Sequence, residues 1–174
     1  KVSLTDFWTN YLKPKVDSSS RYMHLDTVDS SAVTGTTSQT LVSTYSFAAN
    51  DFAIGDIIRF HVRGRKVGTN SFHTVRIYYN TSASLTGATS LHSVQVANTN
   101  ISFDQIKNGV IKSATQTEFY PAGTATDEGN NATTSSTNQN IDYTIAGYFM
   151  IAIVLNSAAD SVLISLFEVQ RKRL

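Results

Sequence analysis

The sequence predicts an all-β protein: a jelly-roll-like antiparallel β-sandwich of about eight strands with a short N-terminal helix. Three observations predict it. The chain holds 22 Thr and 21 Ser, which favour strands and turns over long helices. From Tyr22 onward, short apolar or alternating runs are separated by turn-forming residues, as in a sandwich or barrel. Only two Pro occur, and neither interrupts a candidate strand.

A length of 174 residues suits one domain with a real core. Residues 1–16 read as a helical anchor segment and 17–174 as a single sandwich domain. The hydrophobic share of 41% marks a globular chain. A formal charge of +1 provides no general attraction to nucleic acid or membrane. With no Cys, a disulfide framework, a thiol nucleophile and a thiolate zinc site are excluded. The first residue is Lys and no signal-peptide pattern follows, which suits a processed chain or a piece of a longer one. The most apolar run, Tyr148 to Leu155, is too short for a membrane-spanning helix and reads as a buried strand.

Taken in order, the first element is a helix. Leu4, Phe7, Trp8, Tyr11 and Leu12 form one apolar stripe, Ser3 can cap it, Asp6 stands in the capping-box position and Pro14 follows its end. So short a helix is unstable alone, so Phe7 and Trp8 are expected to dock on this domain or on a partner. Strands are expected near Met23–Val33, Gln39–Phe47, Asp56–Lys66, Ser71–Asn80, Leu91–Ala97, Val110–Phe119, Ile141–Leu155 and Ser161–Arg171. A helical turn fits Phe103–Lys107.

Asp56–Asn80 reads as a hairpin closed by a type II′ turn at Gly68-Thr69. That register pairs Val62 with Val75, Phe60 with Ile77 and Ile58 with Tyr79 on the core side. It gathers Arg59, His61, Arg63, Arg76 and Tyr78 on the other. Near the C-terminus, Phe149, Ile151, Ile153 and Leu155 alternate with Tyr148, Met150, Ala152 and Val154, so both sides of one strand are apolar. A sheet of a sandwich needs one buried face. Tyr148, Met150 and Val154 are therefore expected, with Phe7 and Trp8, to meet another copy. Gly123–Asn140, rich in Thr, Ser, Asn and Gly, reads as a long loop, solvated or displayed for binding.

The Arg59, His61, Arg63, Arg76 and Tyr78 face is the candidate ligand site. Guanidinium groups beside an aromatic ring grip phosphate, carboxylate or an acidic glycan. Such a face equally pairs with acids of a neighbouring strand or subunit, or is simply solvated. No base-stacking motif accompanies the charge, which disfavours nucleic acid. Arg171-Lys172-Arg173 reads as a solvated cap on the last strand. The four His lack tight metal-ligand spacing, and neither a metal nor a cofactor is expected. Asp26 with Asp29 and Asp127 with Glu128 are the nearest acid pairs, without the convergence a glycosidase needs. No nucleophile elbow, phosphate loop or His-Glu-x-x-His is present. Asn80, Asn100 and Asn131 head glycosylation sequons, a weak signal in so Ser- and Thr-rich a chain.

The run Phe47-Ala48-Ala49-Asn50-Asp51-Phe52-Ala53-Ile54-Gly55-Asp56, continuing through Arg59-Phe60 to Arg76-Ile77-Tyr78-Tyr79-Asn80, resembles β-sandwich domains of tailed-phage virion proteins of tail-fibre, head-fibre or baseplate type. Leu85-Thr86-Gly87-Ala88 and Phe167-Glu168-Val169-Gln170-Arg171 fit the same pattern, so the resemblance covers about residues 40 to 170. It implies a homotrimeric virion appendage that contacts other virion proteins and binds a host-surface glycan or protein. It supplies no functional residue to carry over. The expected function is accordingly a non-enzymatic phage attachment component in the virion. A jelly-roll shell or decoration protein is one alternative, although such proteins often carry a basic arm that this chain lacks. A carbohydrate-binding module with an aromatic platform is another, but Tyr78, Tyr79 and Tyr120 lie scattered in sequence. A depolymerising enzyme needs a carboxylate cleft.

Overall fold

In a computed structural model that describes residues 20–69, 71–96, 102–120 and 137–173, the alternating runs form strands in two packed antiparallel sheets. The strands are β1 (Ser20–Asp26), β2 (Val33–Thr34), β3 (Thr40–Phe47), β4 (Ile57–Val67), β5 (His73–Asn80), β6 (Thr89–Val96), β7 (Ser102–Ser113), β8 (Gln116–Tyr120), β9 (Thr137–Asn140), β10 (Gly147–Leu155) and β11 (Ser161–Lys172). The larger sheet runs β1-β11-β4-β7-β8-β9, with β2 paired to β11; the smaller runs β3-β10-β5-β6. The expected helix, with Phe7 and Trp8, and most of the Gly123–Asn140 loop lie outside the described residues.

Side chains alternate across each strand, and the inward set fills the space between sheets. Phe60, Phe119, Phe149 and Phe167 are fully buried there with Ile58, Ile77, Ile111 and Ile151. Phe149 lies 4.8 Å from both Phe47 and Phe60, ring centre to ring centre. Burying side chains of this size contributes about 1.5–3 kcal/mol each.

The expected β4–β5 hairpin does not form. β4 is bonded to β11 and β7, and β5 to β10 and β6. The inward assignment survives: Ile58, Phe60, Val62, Val75, Ile77 and Tyr79 all lie in one core. They meet across the sandwich, not along one sheet. Gly68 uses its positive φ of 134° in a crossover between sheets, and a Cβ there would stand 2.6 Å from Asp160 Oδ1. A buried ion pair pins that crossover. Lys66 Nζ lies 3.1 Å from Asp160 Oδ2, and Asp160 Oδ1 accepts from Thr69 N and Oγ1 at 2.6 and 2.7 Å. Ser71 Oγ donates to the same carboxylate, and Lys66 Nζ donates to the Thr69 carbonyl at 2.6 Å and to that of Ser71.

Four further expectations change. Phe103–Lys107 belongs to β7, not a helical turn, and Val110–Phe119 is the β7–β8 hairpin, not one strand. Inward positions of β7 include Gln105, Lys107 and Gly109 beside Phe103 and Ile111, so polar residues break the apolar alternation that marks a strand. Gly109 is required by close approach: a Cβ would lie 2.7 Å from the Phe119 ring. Met23–Val33 ends as a strand at Asp26, with only β2 at its far end. Ile141–Leu155 begins at Gly147; before it, Asp142 accepts from Thr144 N and Oγ1 at 2.9 and 2.6 Å, a turn that breaks the run.

The doubly apolar β10 is covered from within. Met150 and Ala152 are buried with Tyr78 beneath Leu85, Ala88 and Tyr148. Asn80 Nδ2 holds that loop by donating to the carbonyls of Ser84 and Thr86 at 2.8 and 3.0 Å. Tyr148 and Val154 remain half-buried. Met150 therefore does not need another copy to hide it. Nor is the C-terminal tail a solvated cap throughout: Arg171 turns inward, donates to the Asp51 carbonyl and approaches Asp56 Oδ2 at 3.9 Å.

Candidate functional site

With β4 and β5 in different sheets, the five proposed ligand residues divide. Arg59, His61 and Arg63 stand on the outer face of the larger sheet. Arg76 and Tyr78 stand on the outer face of the smaller one. There, Gln39 Oε1 accepts from Arg76 Nη1 at 2.8 Å and from Tyr78 Oη at 3.1 Å. Both predicted side chains are thereby tied to their own protomer. Met150 and Tyr148 adjoin Tyr78 in the covered patch, and Val154 stands opposite Thr74.

The larger sheet's outer face is arranged in rows. Tyr22, Gln170, Arg59, Asn108 and Tyr120 stand opposite one another across β1, β11, β4, β7 and β8. On one side lies the row Ser20, Lys172, Ile57, Val110 and Glu118. On the other lie Leu25, Glu168, His61 and Ile106. Ser20, Ile57, Arg59, Asn108, Gln170 and Lys172 line a shallow depression of about 220 Å³.

Charge along β4 is unevenly compensated. Asp104 receives His61 Nε2 at 2.6 Å and Arg63 Nε at 2.7 Å, and Arg65 reaches Asp29 at 2.8 Å. Arg59 and Lys172 have no ion pair among the described residues, and the buried Nε of Arg59 has no hydrogen-bond partner there. Sequence reasoning missed Asp104 and Asn108 because β7 was not recognised, and missed Gln170 and Lys172 because β11 was not expected beside β4. Phe103 and Ile106, three residues apart, fall on opposite faces of β7, so no alternation in the sequence could have found the first two.

Inside the sandwich, burial lowers the His73 pKa to about 4, with Lys66 adding to the effect and Asp160 opposing it. Burial, then Lys107, likewise lowers His92 to about 4, and burial lowers Lys107 to about 8. Burial also pushes the Tyr143 hydroxyl up, opposed by a 2.6 Å hydrogen bond shared with Thr117 Oγ1. His61 and His73 lie on opposite sides of different sheets, and no cluster of three or more metal-ligating side chains occurs among the described residues.

The chain is thus a two-sheet antiparallel sandwich whose interior is filled by side chains and whose Arg59 and Lys172, unpaired among the described residues, lie on an outer face. No protein-family model matches it, and no curated protein matches it. Among solved structures it is similar to the "Structure of infectious bursal disease virus Gx strain". Identity is 10%, the TM-score is 0.24, and the match covers 89% of this chain and 40% of that one. At that TM-score the likeness is too loose to assign a role.

Proposed function

We propose that the chain is a non-enzymatic jelly-roll domain of a virion, which assembles with further copies of itself and presents an outer face to a host surface. The observation that carries this reading is the strand order. β1-β11-β4-β7 packed on β3-β10-β5-β6 is the arrangement of a jelly roll, a fold common to viral shells and lectins. The β8–β9 hairpin widens the larger sheet. The resemblance of Phe47–Asp56 and its continuation to phage virion sandwiches favours a fibre, spike or other attachment component, and with it a homotrimer. Assembly is supported by β1, which among the described residues lies at a sheet edge, where a strand offers backbone groups for pairing. Tyr22, Leu25 and the nearby Val28 are 58%, 52% and 75% exposed there.

Light scattering on the purified chain tests the proposal. A trimer is expected, and Leu25→Asp should shift it towards monomer. A monomer at every concentration tried would overturn the assembly reading. It would favour a carbohydrate-binding module, a second reading supported by the row that Tyr22 and Tyr120 flank.

A further inference from the structure

We propose that the outer face of the larger sheet binds an acidic glycan, with its carboxylate held between Arg59 and Lys172. This names a ligand class for the attachment role above and rests on that reading. Three features converge on it. Arg59 and Lys172 line one depression, and neither has a carboxylate partner among the described residues, whereas His61, Arg63 and Arg65 on the same strand each have one. Two cations without a counter-ion repel each other, and a carboxylate between them relieves that repulsion through charge-assisted hydrogen bonds. The flanking Gln170 and Asn108 offer amide donors and acceptors suited to hydroxyl groups.

The third feature is aromatic. Tyr22 and Tyr120 close the two ends of the Arg59 row and are 58% and 42% exposed. Each presents a flat apolar face with a polar tip. Four strand spacings separate them, about 19 Å, so the row suits an oligosaccharide better than one ring. Nucleic acid is disfavoured. Glu168 and Asp104 stand in the rows beyond, and a polyphosphate needs a run of cations without acids between.

Calorimetric and NMR titrations with sialyllactose, a hyaluronan tetrasaccharide, uncharged lactose and a short oligonucleotide test the inference, with oligomeric mass measured on the same samples. Saturable binding of at least one acidic sugar is expected, and none of lactose. Arg59→Ala should weaken it about tenfold or more and Lys172→Ala by a smaller factor. Arg65→Ala, which removes a charge already paired with Asp29, should leave it unchanged. Shifts of the Asn108 and Gln170 side-chain amides in the unsubstituted protein locate the site without any variant. No binding of either acidic sugar, equal binding of lactose, preference for the oligonucleotide, undiminished affinity in Arg59→Ala, or shifts confined to the other sheet would each overturn it. Loss of the site with assembly intact leaves the structural reading standing, and a monomer that binds the sugars does the reverse.

Discussion

Asp160 shows how one side chain can hold two distant turns together. Its carboxylate is fully buried, yet receives Thr69, Ser71 and Lys66 together. Burial opposes its ionisation, but the hydrogen bonds from Ser71, Thr69 and Lys66 outweigh that and hold its pKa well below the usual carboxylate range. Breaking a buried pair from one side leaves the other charge stranded, at a cost of about 3–5 kcal/mol. Asp160→Asn should therefore lower the urea midpoint markedly. Adding Lys66→Met, which removes the stranded ammonium, should recover part of the loss. A double variant no more stable than the single one would show that the ion pair is not the source. Gly68→Ala should be similarly harmful, since φ is 134° and the new Cβ meets Asp160; thermal melting checks it. Neither effect was visible in the sequence, where Lys66 read only as the end of an expected strand and Asp160 had no assigned role.

β10 is an element whose pattern foretold its burial but not what buries it. A strand apolar on both sides announces burial on both sides, and that much was legible. What covers the second side was not, because Leu85 and Ala88 sit in a segment without periodicity. Its position depends on Asn80 bonding to Ser84 and Thr86. Met150, fully buried, should behave as a core residue although it lies on the outer face. Met150→Ala should cost about 2–5 kcal/mol in chemical denaturation. Val154→Ala, at a half-buried position, should cost less. Equal and small effects would mean that the loop does not seal the patch. β7 is the converse case, a strand concealed by its own inward polar residues.

The whole molecule carries an acid sensitivity in its interior. Both ring nitrogens of His73 and of His92 lack hydrogen-bond partners among the described residues, and both groups sit near pKa 4 in the folded state. Above pH 6.5 they are neutral whether folded or unfolded and contribute no pH dependence. Below it, the unfolded chain takes up protons that the folded one refuses, so stability falls as pH drops from 6.5 towards 4 and levels off below. At 1.36 kcal/mol per pKa unit, the loss is at most about 3 kcal/mol per histidine. Urea midpoints at pH 7.5, 5.5 and 4.5 should fall in that order. The double variant His73→Phe, His92→Leu should flatten the trend, and a flat profile in the unsubstituted protein would refute the account.

Which residues face inward is written in the period-two alternation of each strand, a local property of an extended chain. Ile58, Phe60, Val62, Val75, Ile77 and Tyr79 could accordingly be assigned to the core before any partner was known. Which strands pair is a different question, because backbone hydrogen bonding is indifferent to side-chain identity. β4 and β5 found partners at the far end of the chain instead of each other. That choice split the predicted basic face in two and brought Arg59, Asn108, Gln170 and Lys172 together from three strands. The candidate site is therefore a product of long-range packing, and no local reading of any single strand contains it.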